Sequence, residues 1–118
     1  MNRRAKDTTF LGRWRIVQTD LWDRDSLDLT GPAYITFSED GLGELKLIAI
    51  EAFLDYRVVV RDGVQQVEFS WSGFEESDIV CGRGWARIDG DALSGQLFIH
   101  LGDDTMFVAA KDGVGPQE

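Results

Sequence analysis

Residues 53–71 read Phe-Leu-Asp-Tyr-Arg-Val-Val-Val-Arg-Asp-Gly-Val-Gln-Gln-Val-Glu-Phe-Ser-Trp. Two stretches rich in β-branched and aromatic residues flank Asp62-Gly63. A two-residue type I′ turn needs positive φ at both central positions, and Asp-Gly is among the dipeptides that tolerate it best. The stretch therefore predicts an antiparallel hairpin, with Phe53 to Arg61 as one arm and Val64 to Trp71 as the other. In the second arm Val67, Phe69 and Trp71 alternate with Gln66, Glu68 and Ser70. That period of two turns one face to a core and the other to water.

The same pattern extends in both directions. Upstream, a first strand runs from Gly12 to Thr19, and Gly31-Pro32 leads into a second at Ala33 to Ser38. Proline lacks the N–H that a ladder needs, so it suits a strand entry. Glu39-Asp40-Gly41 turns into a third strand, Gly43 to Ile50, and a break at Glu51-Ala52 precedes Phe53. Downstream, an acidic loop, Gly73 to Asp78, leads to a sixth strand at Val80 to Ile88. Asp89-Gly90-Asp91 turns into the seventh, Leu93 to Leu101, and Gly102-Asp103-Asp104 into the eighth, Thr105 to Lys111. The fold class is all-β, an antiparallel up-and-down meander of about eight strands. Only the connection Leu21 to Thr30 has the length of a crossover, with room for a helical turn near Asp20 to Leu29. Closing the meander into a barrel removes the unpaired edges that invite aggregation. One domain is expected at 10–111, with a flexible arm at 1–9 and a flexible tail at 112–118.

Alternation also predicts faces. Leu45, Leu47 and Ala49 oppose Glu44 and Lys46; Leu93, Leu97, Ile99 and Leu101 oppose Ser94, Gln96 and His100; Met106, Val108 and Ala110 share one face of the last strand. In the sixth strand Cys81, Arg83, Trp85 and Arg87 lie on one side and Gly82, Gly84, Ala86 and Ile88 on the other. The small and apolar row is the better inner face. Its two glycines leave a gap that either a coil of the strand or a ligand fills.

The chain has 118 residues, 43% of them hydrophobic, and a formal net charge of −9. Such a surface repels a phosphate backbone, which argues against nucleic acid. Cys81 is the single cysteine, so no intrachain disulfide forms, and a reducing, cytoplasmic setting follows. The first nine residues carry no apolar stretch of the kind a signal peptide needs. The apolar run Leu47-Ile48-Ala49-Ile50 is far short of the roughly 20 residues of a membrane span. The expected partners are a small molecule or another protein, with no nucleic acid and no membrane.

The opening Phe10-Leu11-Gly12-Arg13-Trp14-Arg15-Ile16-Val17 resembles the first strand of the calycins, the lipocalins and cellular fatty-acid-binding proteins, in which a Gly-x-Trp begins the barrel. The resemblance implies a closed barrel with Trp14 closing one end and a late basic residue, here Lys111, packed over it. The chain is shorter than most lipocalins and has no room for the two-helix lid of a fatty-acid-binding protein, so no large lipid cavity is implied. Across most of its length the chain also resembles a family of small bacterial proteins with no assigned function. Gly31-Pro32-Ala33, Trp71-x-Gly73-x-x-Glu76, Gly82-Arg83-Gly84-Trp85 and His100-x-Gly102-Asp103-Asp104 carry that likeness, which implies a bacterial cytoplasmic protein and no particular activity.

Few constellations carry chemistry. Asp23-x-Asp25-x-x-Asp28 lacks the glycine and the terminal Glu of a calcium loop and reads as solvated acids. Glu75, Glu76, Asp78, Asp103 and Asp104 occupy two turns expected at one rim, with the Asp23 and Asp40 loops as neighbours; they read as solubilising charges, or else as a seat for a cation or a basic partner. One histidine, His100, and one cysteine cannot complete a zinc site unaided. No metal or cofactor is implied. Two readings of function stay open. In the first, the barrel binds a small, partly apolar ligand without catalysis, walled by Trp14, Tyr56, Trp71, Arg83 and Trp85. In the second, the barrel is filled by its own side chains and serves as a protein-interaction or homodimerising module through Trp22, Phe98 and His100, with Trp85 nearby. A hydrolase-type enzyme using His100 with Asp103 or Asp104 is a third, weaker reading.

Overall fold

Positive φ at Asp62 (55°) and Gly63 (78°) forms the expected turn in the computed structural model, which describes residues 8–112. In chain order the strands are β1 (Gly12–Thr19), β2 (Tyr34–Phe37), β3 (Leu42–Leu47), β4 (Ile50–Arg61), β5 (Val64–Glu75), β6 (Asp78–Asp89), β7 (Ala92–Ile99) and β8 (Asp104–Lys111). A 3-10 turn at Thr8–Phe10 precedes β1, and the one-turn helix α1 (Arg24–Leu27) lies between β1 and β2. Each strand pairs antiparallel with its chain neighbours, and β1 pairs with β8, so the sheet is a closed barrel. The flexible arm expected at 1–9 and the tail expected at 112–118 lie outside the described residues except for 8, 9 and 112, which fall in the 3-10 turn and in a backbone bond from Asp112 to the Arg13 carbonyl. No helix among the described residues is long and apolar enough to cross a membrane.

The strand boundaries move where tertiary contacts outweigh local signals. The turn expected at Glu51-Ala52 sits instead at Ile48-Ala49, although Ile48 must adopt a φ of 55° there. A β-branched residue resists that conformation. It is held by α1 and the segment behind it: the Ile48 N–H donates to the Leu27 carbonyl at 2.9 Å, and Thr30 Oγ1 donates to the Ile48 carbonyl at 2.7 Å. The acidic stretch Gly73 to Asp78 is ladder more than loop. Phe74 pairs with both Glu51 and Ile79, and only Glu76 and Ser77 connect β5 to β6. At the far end β7 stops at Ile99, and Leu101, expected inside, stands in the turn at a φ of 61°, 94% exposed.

Alternation fills the interior as predicted from β3, β5 and β7, with Leu45, Leu47, Val67, Phe69, Trp71, Leu93 and Leu97 all buried. In β8 the phase is the reverse of the expected one. Thr105, Phe107 and Ala109 face inward, while Met106 and Val108 are only half-buried and Ala110 is exposed. Both faces of β8 are apolar, and the buried hydroxyl decides between them. Thr105 Oγ1 accepts the Asp20 N–H at 3.0 Å and the Leu21 N–H at 3.3 Å, which ties the end of β1 to β8.

The two ends of the barrel are occupied by the chain itself. At the end where β1 leaves, α1 places Leu27 in full burial. Asp23 caps α1 by accepting the Ser26 N–H at 2.8 Å. Asp28 accepts the Ala33 N–H at 3.0 Å and pairs with Arg15 at 2.9 Å. Two of the three acids that read as free loop charges thus hold the first connection in place. The Ala33 and Arg15 contacts also lower the pKa of Asp28 below its ordinary value. In a meander the β1–β2, β5–β6 and β7–β8 connections share this end, whereas Asp40, in the β2–β3 turn, lies at the other and cannot join their acids.

At that other end, where β1 begins, Trp14 Nε1 donates to the Phe10 carbonyl at 2.9 Å, and both residues are buried. The Lys111 ammonium sits 4.6 Å from the Trp14 ring centre and donates to the Leu11 carbonyl, the contact the sequence led us to expect. Partial burial lowers the Lys111 pKa. Gly12 makes room for this arrangement. Its φ is 110°, and a Cβ there would lie 2.8 Å from Lys111 Nζ.

Two outcomes test these joints. Gly12→Ala should cost about 1–3 kcal/mol in urea unfolding, the scale of strain at a backbone position that disfavours side chains. Asp28→Asn should cost about 1 kcal/mol or less at neutral pH, as a part-exposed ion pair does. Because the folded pKa of Asp28 is lowered, its contribution is present above the ordinary carboxylate value and lost as pH falls through the folded one. The gap between Asp28→Asn and the parent should therefore narrow on acidification.

Candidate functional site

Of the residues expected to wall a ligand, Tyr56, Arg83 and Trp85 border one outer groove, and Trp14 and Trp71 do not join them. Trp14 and Trp71 are buried in the core, and Tyr56 packs against it. The Tyr56 ring stands edge-on to Phe37 at 5.0 Å, and its hydroxyl donates to the Ser38 carbonyl. Arg83 and Trp85 lie on the opposite face of the sheet, since Gly84 and Ala86 beside them are buried inward. The inner row of β6 is the small one, as expected. Its gap is filled from β5: a Cβ at Gly82 would lie 2.7 Å from the Trp71 ring, and one at Gly84 would lie 2.5 Å from the Phe69 ring. Trp71 Nε1 completes the lock by donating to the Arg83 carbonyl at 3.4 Å.

The residues of the alternative reading also separate. Phe98 and His100 share a groove of about 440 Å³ with Cys81, Arg83 and Asp104 on the outside of β6 to β8. Trp22 belongs instead to the first connection, packed against the core, with its N–H and carbonyl both bonded to Thr19 Oγ1. Among the described residues no three of the His, Cys, Asp and Glu side chains gather in a way that could hold a metal ion.

A second outer groove, of about 390 Å³, adjoins the first and shares Arg83 and Phe98 with it. The cross-strand registers build it. Ser70 is paired with Asp55 on one side and Arg83 on the other, and Arg83 with Phe98. One step along, Glu68 lies between Arg57 and Trp85. Glu68 accepts from Arg61 Nε at 2.9 Å and from Gln66 Nε2 at 2.8 Å, and these bonds, with Arg57 nearby, lower its pKa. Gln66 in turn accepts from Arg87 Nε at 2.8 Å, and the Arg87 guanidinium lies 5.7 Å from the Trp85 ring centre. The network fixes Trp85 on the surface. Arg57 and Arg83 close no ion pair among the described residues.

The same outer face carries large apolar side chains, and two of them, Phe53 and Phe74, line a third groove of about 780 Å³ with Tyr34, Lys46 and Glu51. Phe53 is 72% exposed, Phe74 54% and Ile79 77%. These three were missed from the sequence, although their phase marks them. Phe53 alternates in step with Glu51, Asp55 and Arg57, and Phe74 in step with Glu68, Ser70 and Ser72, so both aromatics occupy the polar side of their strands. The chain matches no protein-family model, and no curated protein or solved structure matches it significantly.

The division between inside and outside is measurable. Trp71→Ala should cost about 3–5 kcal/mol in urea unfolding, as emptied aromatic core positions do. Arg83→Ala should change stability by less than about 0.5 kcal/mol.

Proposed function

We propose that the protein is a non-catalytic, calycin-like barrel of the bacterial cytoplasm that works by binding another protein through the outer face of β4 to β7. One observation carries this reading. Phe53, Phe74 and Ile79 stand exposed on the water-facing phase of three long strands, on the same outer face of the sheet as Trp85 and Phe98. Soluble barrels rarely spend large apolar side chains in this way, and contiguous patches of that kind mark interaction sites. Aromatic and Arg side chains, which this face combines, are the types enriched at interfaces. The packed interior supports the same reading, because Phe69 and Trp71 occupy the space a ligand would need. The Gly-x-Trp with Lys111 over the ring supports the calycin likeness, and the lone thiol of Cys81 supports a reducing compartment.

The rival reading is a small, partly apolar ligand held by the barrel. Native mass spectrometry of freshly purified protein separates the two. Bare chain mass, or whole multiples of it, is expected. An extra few hundred daltons per chain, released on denaturation, would overturn the proposal in favour of a bound small molecule.

A further inference from the structure

The reading of the outer face as an interaction surface leaves its occupant open, and the order of side chains on that face specifies one. From the β4–β5–β6 registers, we infer that the partner is a second copy of this chain, docked face to face about a two-fold axis that runs along β5. The inference rests on the interaction reading above.

Along β5 the outward side chains near the centre of the face are Ser72, Ser70 and Glu68. Each has one neighbour on β4 and one on β6: Phe53 and Cys81 beside Ser72, Asp55 and Arg83 beside Ser70, Arg57 and Trp85 beside Glu68. Strands lie about 4.8 Å apart, so the members of each pair are equally far from β5. A two-fold axis lying over β5 exchanges left and right while keeping position along the strand, as an isologous interface requires. Asp55 of one copy then meets Arg83 of the other, Arg57 meets the Trp85 ring, and Phe53 covers Cys81. Every one of these contacts is chemically matched, and each occurs twice. The two serines on the axis are short enough to let the sheets approach. Arg83, which has no ion pair among the described residues, gains one.

Size and charge agree. β4, β5 and β6 are 12 residues each, and an axis over β5 sets β7, eight residues, against β3, six. At about 3.3 Å per residue and 4.8 Å per strand, β4 to β6 offer roughly 570 Å² and the five strands together roughly 800 Å². A standard interface buries about 800 Å² per partner. The chain as a whole is strongly acidic, but the centre of this face balances Asp55 and Glu68 against Arg57 and Arg83. Two matches are like-charged: the acidic β5–β6 tips, and Glu68, which lies on the axis opposite its own copy and is paired within each chain to Arg61 at 2.9 Å. Aligned sheets cross at about −30°, which inclines each β5 by about 15° to the axis and separates tips some 20 Å from the centre by about 10 Å, a Debye length at 0.1 M salt.

Analytical ultracentrifugation across a concentration series, with charge reversal, tests the pairing. The parent chain should dimerise. Asp55→Arg alone and Arg83→Asp alone should each weaken the dimer by at least about tenfold, since each places like charges together twice. The double variant Asp55→Arg with Arg83→Asp should restore it. Both positions are exposed, so each variant should fold, which circular dichroism checks. In parallel, alkylation of Cys81 should slow as protein concentration rises, because Phe53 of the second copy covers it. A monomer of bare mass at all concentrations overturns the second copy, and so does a dimer indifferent to either reversal. Failure of the underlying interaction reading looks different: it is a few-hundred-dalton adduct on the native mass.

Discussion

The inside of an eight-strand barrel has room for side chains and little more. Here that room is divided by an exchange of size between two neighbouring strands. β5 contributes Phe69 and Trp71, and β6 contributes Gly84 and Gly82 beside them, so that each ring lies over a residue with no side chain. Much of the rest follows from this lock. Because the inward side of β6 is surrendered to the rings of β5, the bulk of β6 points outward, as Arg83, Trp85 and Arg87. The chemistry of the outer face is a consequence of how the core is packed.

Both mouths of the barrel are also taken by the chain. Leu27 of α1 enters one, secured by Asp28 to Arg15 and to the start of β2. Phe10, Trp14 and Lys111 occupy the other, beside the Phe37 and Tyr56 rings. What the chain leaves uncovered is the lateral surface. On it the β4 to β7 sector stands apart, because its aromatic residues, arginines and acids alternate in register, and three of its strands, β4 to β6, are longer than the rest.

Much of this was legible in the residues. Asp62-Gly63 determines one hairpin by itself, and the alternation in β5 identifies Val67, Phe69 and Trp71 as core. The small row of β6 could be assigned inward because glycine and alanine are poor surface choices opposite Arg and Trp. Where the pattern was balanced, reading failed. Met106, Val108 and Ala110 are more apolar than Thr105, Phe107 and Ala109, yet the second set is inside, because Thr105 has backbone N–H groups to satisfy from the first connection. The Ile48 turn was hidden for a related reason: the residues that hold it, Leu27 and Thr30, are distant in sequence. The five residues of the expected ligand wall are divided between the two faces of the sheet. Tyr56, Trp71, Arg83 and Trp85 were grouped by residue type, and grouping by type ignores that odd and even positions of a strand face opposite ways. The same alternation, read on β4 and β5, would have placed Phe53 and Phe74 in water.

The β1–β8 seam has a kinetic side. It pairs Trp14 with Lys111, so nearly the entire chain must leave the ribosome before the barrel can shut. Contacts so distant in sequence form late, whereas the long β4–β5–β6 ladders join neighbours and have little loop entropy to overcome. Through that interval one edge of β1 waits without a partner, the condition under which nascent sheets recruit other chains. The two arginines of that strand, Arg13 and Arg15, serve the finished protein through Tyr34, Asp112 and Asp28. Charges on an open edge make it a poor template for other chains, and on β1 these two stand there until β8 arrives.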